Sequence, residues 1–599
     1  MARIFIIFTL LVSSLHAQEE LVRQVYETKT NTWIEVTCLV GKLPAYGYAP
    51  VRVTMNNASK SDREITLSFT SSDDSYGSSV SSQSNSKMNS SFTFTCKKGS
   101  QETADFLVPL VTVFRSSGYD NRTSLNLSLI CSGYPSASGN MSTELNEDWP
   151  CAAMSNNLYV PNASSLNSHI NSTSSSMGDL QFAGDFDPKQ MSTDWRAYIG
   201  LDAVMMTNTD WNTLNPGART AILEWNRFGG KLIIYNDNAT EDLATLQIEP
   251  NMLGKKNTVR SFGHVQLVPL PKANRLDPVK TRKLVESGKK ATSLKVIHKT
   301  PHASLLREYS SKWPLHDQLA EKNFNSAVFI LILLAFGILV GPINLFVFAK
   351  SGKRHKLFIT TPIISLGCSA LLIVIIMFQD GFGGRGHRIL LMEVRPDENK
   401  AYIFQEQAAR TGVLLGSSFE TSEPTMMTPV ALAPSRWSRV VADGRSPSSY
   451  NAKHGKNGLV LSGDWYQSRS IHGHLLKTVR PTRGRIELSP KAGAPTLTST
   501  FDFDLETLFY HAKDGSWWKA DTLQKGNSVT LSPSTEKEFE TWRINMEKNL
   551  VNKNAVHLHR IAKQHDRFFT TTAQANATET YGSIKWLSTT TIMTGPVTR

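Results

Sequence analysis

The chain has 599 residues, of which 40% are hydrophobic and 19% charged, and 64 Lys and Arg against 51 Asp and Glu give a net charge of +13. This length predicts several folding units. The composition excludes a disordered chain, a collagen-like repeat and a polytopic transporter.

The first 17 residues predict a cleaved signal peptide. Arg3 supplies a positive charge, residues 4–12 are apolar, and a short exit of small residues ends at Ala17. This apolar run is too short to span a hydrocarbon layer of about 30 Å. An uncleaved anchor is the alternative, and in either case we expect the chain beyond residue 17 to be exported.

Residues 25–150 predict an antiparallel β-sandwich. Short stretches alternate between apolar and polar residues and are separated by Gly, Ser, Asn and Asp, which is typical of such folds. The predicted strands are Trp33–Cys38, Pro50–Met55, Ile65–Phe69, Ser91–Thr95 and Leu125–Leu129.

Four of the five cysteines lie in this first part of the chain, at Cys38, Cys96, Cys131 and Cys151. An even number in an exported segment predicts up to two disulfides. Three pairings are possible, and we favour Cys38–Cys96 with Cys131–Cys151 because each pair closes a compact stretch. No metal is expected here, since the sequence has no C-x-x-C pair and no nearby His.

The pattern changes to alternating strand and helix between residues 155 and 270. Strands are predicted at Asn156–Val160, Leu201–Met206 and Lys231–Tyr235. Between the last two, Asn215-Pro216 is a helix start and Gly229-Gly230 a helix stop. A strand, a helix and a second buried strand form a parallel βαβ unit, and therefore a doubly wound α/β layer.

These residues carry a resemblance to a known fold family. This chain resembles the flavodoxin-like domain of class I glutamine amidotransferases. The residues that carry the resemblance are Trp195, Tyr198, Leu201–Val204, Trp225, Phe228–Ile233 and Phe262–Val265. The segment Gly341–Val347, which a basic loop follows, resembles an uncharacterised family of bacterial membrane proteins. That family joins a degenerate amidotransferase-like exported domain to a transmembrane hairpin and a β-rich C-terminal domain.

The resemblance implies a catalytic Cys on the turn after a central strand and a partner His. In this chain Tyr235 is followed by Asn236, Asp237 and Asn238, and His264 stands alone. We therefore expect no enzymatic activity and no cofactor. The three residues 236–238 are candidates for binding a polar ligand at the carboxyl ends of the strands, although a capped helix start explains them equally well.

A basic stalk is predicted at residues 271–325, with contact to anionic lipid headgroups as the alternative. Two uncharged apolar runs come next, Ser326–Ala349 and Leu357–Phe378, each long enough to cross a bilayer. The loop 350–356 between them carries four fixed positive charges, so we expect it in the cytoplasm. Both flanking regions are then exported.

Polar residues inside this hairpin predict packing rather than transport. Gly341-Pro342 is expected to kink the first helix, and Asn344 to form a hydrogen bond with Thr360 or Thr361 of the second. A polar transport path would need buried ionisable groups, which the two runs do not contain.

Residues 385–599 predict a second β-sandwich on the periplasmic side. Strands are expected at Ile389–Val394, Lys400–Phe404, Asn457–Leu461, Arg485–Leu488 and Phe501–Leu505, and a helix at about Ser534–Asn549. Three groups resemble functional sites, namely His472 with His474, the three histidines at 557, 559 and 565, and Asp502 with Asp504. We interpret them as a surface strand, a polar helix and outward-facing carboxylates.

The expected fold class is thus a multidomain membrane protein with an N-terminal β-sandwich, a flavodoxin-like α/β domain, a transmembrane hairpin and a mostly-β C-terminal sandwich. The expected function is that of a scaffold or binding protein in a bacterial inner membrane, with both large domains in the periplasm. Its expected partners are the lipid bilayer and other envelope proteins, not nucleic acid. The alternatives are an auxiliary subunit of an ABC-type export system and a periplasmic carbohydrate-active hydrolase that uses Asp502 or Asp504.

Overall fold

The computed structural model describes most of the chain, and the predicted signal peptide lies outside the described residues. The described ranges are 19–74, 86–114, 121–146, 149–173, 179–286, 300–311, 313–319, 326–348, 351–421, 423–432, 448–454, 458–489, 493–573 and 577–599. Five sheets and two long apolar helices account for about half of these residues. The prediction of a multidomain, strand-rich chain with two such helices is confirmed.

The N-terminal region consists of eight antiparallel strands, and each predicted strand falls within one of them. They are β1 (Glu19–Glu27), β2 (Thr32–Cys38), β3 (Gly47–Asn57), β4 (Arg63–Asp73), β5 (Lys87–Cys96), β6 (Ser100–Leu110), β7 (Asn121–Cys131) and β8 (Ala137–Leu145). One sheet has the order β1-β2-β3-β6, and the other contains β5-β4-β7-β8. Alternate side chains of both sheets, such as Val36, Val53, Leu67 and Leu127, meet in one buried core.

The four cysteines of this region are free thiols in the structure, so neither predicted disulfide is present. Cys96 and Cys131, which one of the other two pairings would join, lie on strands either side of β4. They are therefore about 10 Å apart, beyond the reach of a disulfide. Burial raises the pKa of the Cys38 and Cys151 thiols to about 12. These side chains serve as small apolar groups of the core.

The α/β unit follows, and its buried strands alternate with helices. Its elements are β9 (Ala152–Ser155), α1 (Asn156–Tyr159), α2 (Ala163–Thr173), β10 (Gly184–Phe186), β11 (Ala203–Thr207), α3 (Asn208–Thr213), α4 (Pro216–Arg227), β12 (Lys231–Asn236), β13 (Asn257–Arg260), β14 (Gly263–Pro269) and α5 (Pro278–Val285). The sheet order is β10-β9-β11-β12-β14-β13, with β13 alone antiparallel. The strand predicted at Asn156–Val160 is wrong, because the strand ends at Ser155 and residues 156–159 form a helical turn.

Local signals set the boundaries of the βαβ unit as expected. The Oδ1 of Asn215 accepts a hydrogen bond from the Gly217 amide at 2.9 Å, and Pro216 occupies the first turn of α4. After the helix, Gly229 has φ of +110°, a conformation that residues with a Cβ rarely adopt. Strands β11 and β12 are parallel, as predicted.

Two short helices, α6 (Pro301–Ser311) and α7 (Pro314–Asp317), precede the long apolar helices. Leu305, Tyr309 and Trp313 are 3%, 3% and 1% exposed. The Trp313 Nε1 donates to a carboxylate oxygen of the buried Glu406 at 3.0 Å. For residues 300–311 and 313–319 the prediction of a solvated stalk is therefore wrong, because their apolar side chains fill the space between the sheets.

The apolar hairpin consists of α8 (Ser326–Ile338), a π-helical continuation at Leu339–Phe348, and α9 (Leu357–Asp380). Pro342 lies in the π-helical part, where its missing amide donor breaks the regular α-helical pattern. The Nδ2 of Asn344 donates to Thr361 Oγ1 at 2.9 Å, and Thr360 Oγ1 donates to Asn344 Oδ1 at 2.6 Å. The predicted interhelical hydrogen bond is confirmed.

The C-terminal region contributes fifteen strands and two helices. These are β15 (Gly384–Arg395), β16 (Lys400–Thr411), β17 (Phe419–Thr421), β18 (Thr425–Pro429), β19 (Ser449–His454), β20 (Leu459–Gly463), β21 (Ile471–Pro481), β22 (Ile486–Ser489), β23 (Thr496–Ser499), β24 (Leu505–His511), β25 (Trp517–Leu523), β26 (Ser528–Thr530), β27 (Ser532–Ser534), α10 (Glu536–Glu547), α11 (Asn552–Ala562), β28 (Arg567–Thr572) and β29 (Ile584–Pro596). A nine-stranded sheet has the order β18-β21-β16-β15-β29-β28-β24-β25-β27, and a small one the order β22-β23-β26.

The two regions that flank the hairpin share a sheet. Strand β19 pairs in parallel with β5, so β17, β20 and β19 extend the N-terminal sheet to seven strands. The predicted separation into an N-terminal domain at 25–150 and a C-terminal domain at 385–599 is therefore wrong at residues 419–463. Backbone hydrogen bonds join segments that lie more than 300 residues apart in the sequence.

A buried group of charges also joins the α/β unit to the nine-stranded sheet. We call Arg227, Glu249, Arg260, Glu398 and Tyr402 the interdomain ion-pair cluster. Arg227, at 1% side-chain exposure, donates from Nε to Glu398 Oε1 at 3.0 Å, and Arg260 donates to Glu249 at 2.6 Å. Burial alone raises the pKa of Glu398, but the neighbouring Arg227 outweighs it and holds this pKa below its ordinary value. The carboxylate is therefore ionised at neutral pH.

Candidate functional site

A polar cluster lies at the carboxyl ends of β9, β11 and β12, where parallel sheets bind ligands. Thr207 caps α3, and its hydroxyl accepts a hydrogen bond from the Asp210 amide. The Asp210 carboxylate, 2% exposed, accepts from Ser155 Oγ at 2.6 Å and from Asn157 Nδ2 at 2.7 Å. Asp210 thus ties the ends of β9 and β11 together.

Asn208 links this cluster to the loop after β12. Its Nδ2 donates to Asp237 Oδ1 at 2.8 Å and to Glu241 Oε2 at 2.9 Å. Its Oδ1 is buried and has no hydrogen-bond partner among the described residues. Two carboxylates therefore meet at the Asn208 Nδ2, and Asp237 is exposed, so this edge of the sheet presents hydrogen-bond acceptors to a ligand that donates hydrogen bonds.

The structure separates the three predicted binding residues. Asn236 Oδ1 accepts from the Asn238 amide at 2.8 Å, and Asn238 Oδ1 accepts from Thr240, so these two side chains close a local turn. Asp237 alone reaches a neighbouring strand end, through Asn208. A role for Asp237 in binding stays a prediction.

Sequence reasoning missed Ser155, Asn157, Asn208, Asp210 and Glu241. One signal was present, because Thr207 and Asp210 have capping-box spacing directly after a buried strand. The contact from Asn208 to Asp237 depends on the order of β11 and β12 in the sheet, which spacing alone does not give.

The geometry of the turn after β12 differs from that of a nucleophile elbow. Such an elbow presents Ser or Cys on a strained strand-to-helix turn. Residues 236–238 are Asn, Asp and Asn, and none of the three has positive φ. Among the residues that the structure describes, no group of three His, Cys, Asp or Glu side chains could hold a metal ion. The cluster is equipped for hydrogen bonding.

His472 and His474 lie on β21 and are 9% and 2% exposed, so the interpretation as a surface strand is wrong. They stack inside the core, next to Tyr466. Burial lowers the pKa of His472 to about 4 and that of His474 well below its ordinary value. Both rings are neutral at pH 7 and serve as core side chains.

The other two groups lie away from the polar cluster. Phe501 and Phe503 are buried, Asp502 and Asp504 are exposed, and Asp504 accepts from the Lys525 amide in a turn at 2.9 Å. His557 lines a small cavity with Lys477 and Lys553 at the junction of the sheets. Burial, then the charge of Arg560, lowers the pKa of His557 well below its ordinary value.

Comparison with known proteins gives no relative. No family model matches the chain, and no curated protein matches it. The mu-homology domain of yeast delta-COP-I, solved with a Dsl1 WxWxV peptide, is 8% identical, and the match covers 36% of this chain and 96% of that one with a TM-score of 0.17. The exo-chitosanase CsxA of Amycolatopsis orientalis is 10% identical over 93% of this chain and 78% of its own, with a TM-score of 0.15. Similarities at this level carry no argument about fold or function.

Proposed function

We propose that this protein is a membrane-anchored scaffold or binding protein of the bacterial inner membrane, with its folded body in the periplasm. The observation that supports this most is the exposure of the hairpin. The two apolar helical spans are Ile330–Phe348 and Arg354–Ile375. In the most apolar part of each span, only 6% and 0% of the residues, respectively, are buried against the rest of the chain. Two apolar helices of this length are stable in lipid, whereas water penalises their exposed surface.

The positions of the hairpin ends support a single crossing in each direction. Before α8, the Leu319 carbonyl accepts a hydrogen bond from Arg410 on β16 at 3.4 Å. After α9, the Gly381 carbonyl accepts from the Val413 amide at 2.9 Å. Both contacts lie at the same end of the nine-stranded sheet, so the chain leaves the body and returns to it on one side. Lys353, Arg354 and Lys356 lie at the opposite tip, as expected for a cytoplasmic loop.

The assignment of the domain types is part of the same proposal. The five parallel strands of the α/β unit have the order 2-1-3-4-5 when numbered along the chain, which is the flavodoxin-like order. This order, together with the turn after β12, supports a degenerate amidotransferase-like domain. The two N-terminal sheets around one core support a β-sandwich.

A binding role suits the site better than catalysis. The polar cluster offers the carboxylates of Asp237 and Glu241, which the Asn208 amide holds together, to a donor-rich ligand. Residues 236–238, which directly follow the core of β12, are Asn, Asp and Asn and carry neither a thiol nor a hydroxyl group. The shared sheet and the interdomain ion-pair cluster hold this edge on a rigid body, which is what a scaffold requires.

Protease added to spheroplasts is expected to digest both flanking regions, because both lie outside the cytoplasm. A protease site inserted between Gly352 and Lys353 is the matched control and should be cut only after the membrane is permeabilised. Fragments are detected with tags at residue 146 and at the C-terminal end. Survival of either flanking region until detergent is added would overturn the anchor proposal.

The binding role is tested by chemical cross-linking and mass spectrometry of intact membranes. We expect cross-links from Lys256, whose ammonium donates to the Ala239 carbonyl beside the polar cluster, to another envelope protein. Replacing Asn208 and Asp237 by Ala should remove these cross-links and leave those from Lys98, in the N-terminal region, unchanged. Cross-links that persist in the double variant, or that do not occur at all, would contradict binding at this edge.

A further inference from the structure

The end of the nine-stranded sheet at which the hairpin enters and leaves has an unusual surface. We call Phe382, Arg385, Leu415, Lys585 and Leu587 the hairpin-end surface. Phe382, Leu415 and Leu587 are 61%, 92% and 52% exposed. Their position beside two apolar helices long enough to span a bilayer is what distinguishes them from single exposed apolar residues elsewhere on the surface.

Backbone contacts hold these residues close to the end of α9. Gly383 donates to the Val413 carbonyl at 3.1 Å and Val413 donates to the Gly381 carbonyl at 2.9 Å, so Phe382 and the loop that carries Leu415 are neighbours. Strand β29 lies beside β15, with Lys585 paired to Arg385 and Leu587 next in line after Trp586. All of these residues lie within a few positions of the point where the chain leaves the apolar helix.

Two cations lie side by side on this surface. Arg385 and Lys585 are direct partners on neighbouring strands, so their side chains leave the same face of the sheet. Both are exposed, and neither forms an ion pair with any side chain that the structure describes. Directly opposed like charges destabilise a sheet, and a bound anion would relieve this repulsion. Arg410, opposite Arg385 on the other neighbouring strand, donates to the Leu319 carbonyl at 3.4 Å.

We propose that the hairpin-end surface lies in the headgroup layer of the membrane and binds anionic phospholipid. The three apolar side chains enter the boundary between headgroups and acyl chains, and the ammonium and guanidinium groups bind the lipid phosphate. Amphipathic surfaces of this composition bind membranes both by burying apolar surface and by electrostatic attraction to anionic lipids. The inference rests on the proposed membrane anchor, and it adds that the body is seated on the bilayer rather than held away from it.

The position of the hairpin-end surface in the membrane is tested by measuring how deeply single fluorescent labels on the full-length chain lie in the bilayer. Native cysteines are replaced by Ala, one Cys is placed at position 415, 587, 334 or 253, and each is labelled with the fluorophore NBD. The chain is reconstituted in vesicles whose phosphatidylcholine carries bromine on its acyl chains, which quenches fluorophores at membrane depth. Leu334 lies in α8, and Leu253, 79% exposed, is the matched soluble control.

The control position is remote from the hairpin. Strand β15 runs about 36 Å from Gly384 to Arg395, and Glu398 just beyond it binds Arg227 of the α/β unit. The Met252 amide donates to the carbonyl of Glu249, another member of the same ion-pair cluster. Labels at 415 and 587 should be quenched, and the label at 253 should not. If the labels at 415 and 587 are unquenched like the label at 253 while the label at 334 is quenched, the hairpin-end surface does not lie in the headgroup layer, but the proposed membrane anchor stands. If the label at 334 is also unquenched, both the headgroup-layer proposal and the membrane anchor fail.

The lipid preference is tested with the same labels. Bromine is placed either on phosphatidylglycerol or on phosphatidylcholine, each as the minor component of otherwise identical vesicles. We expect stronger quenching at 587 by the anionic lipid. The change Arg385→Gln with Lys585→Gln should reduce this preference about fivefold for each charge removed, which corresponds to about 1 kcal/mol per cation. Lys280→Gln, at an 83% exposed side chain of α5, is the control and should have no effect. Equal quenching by the two lipids would overturn the anionic preference.

Discussion

Glu398→Gln is expected to lower the free energy of unfolding of the α/β unit by about 3 kcal/mol, because Arg227 is left buried without its main carboxylate partner. The Arg227 side chain is 1% exposed, and Glu249 stays 3.8 Å from it, which compensates only in part. Hydrogen exchange of the full chain measures the effect, since faster exchange of the β11 and β12 amides reports the local free energy of opening. Amides of β2 and β3 should change little.

A matched control separates a pair with a buried guanidinium from a pair in which both side chains are half-buried. Glu286→Gln removes the partner of Arg282 at the C-terminal end of α5, where the two side chains are 33% and 30% exposed, and should cost less than about 1 kcal/mol. Adding Arg227→Met to Glu398→Gln should restore part of the lost stability, because no unpaired charge then remains buried. If Glu398→Gln lowers the stability no more than Glu286→Gln does, the interdomain ion-pair cluster does not join the α/β unit to the nine-stranded sheet.

The elements that the sequence predicts well are those with local signals. The α4 helix begins at the Asn215-Pro216 cap and ends at Gly229, because capping and positive φ depend on neighbouring residues. The hydrogen bonds of Asn344 with Thr360 and Thr361 can also be predicted from the sequence, since the seven-residue loop between the two helices fixes which helix ends meet. In these cases the partner lies within about one helix length of chain.

The features that the sequence does not predict depend on partners far along the chain. The pairing of β19 with β5 joins residues 449–453 to 87–91 across the hairpin. The burial of His472 and His474 depends on Tyr466 and on the strands around β21, and an alternating pattern alone does not distinguish a covered strand from a surface strand. In the candidate site, Asp237 was predicted from its position after a strand, but its partner Asn208 begins α3, which follows the neighbouring strand β11.

Glu393→Gln is expected to cost the nine-stranded sheet about 3–5 kcal/mol, because it leaves the Arg567 guanidinium without its partner in the core. The two side chains are 1% and 4% exposed, and Arg567 Nε also donates to Thr594 at 3.0 Å. Chemical denaturation at pH 7 measures the loss. Glu487→Gln, in an exposed pair with Arg485, is the control and should cost less than about 1 kcal/mol.

The pH dependence of the same variant gives an independent test of the pair. Burial alone raises the pKa of Glu393, but Arg567 and then Arg395 outweigh it and lower this pKa to about 2, below the ordinary value of 4.5. Because the folded state holds the proton less tightly than the unfolded state, the contribution of Glu393 is complete above pH 4.5 and is lost as the pH falls towards 2. The loss amounts to about 3 kcal/mol at 1.36 kcal/mol per pKa unit. Glu393→Gln should remove this part of the acid sensitivity, and an unchanged slope between pH 4.5 and 2 would show that Glu393 is not held ionised by Arg567.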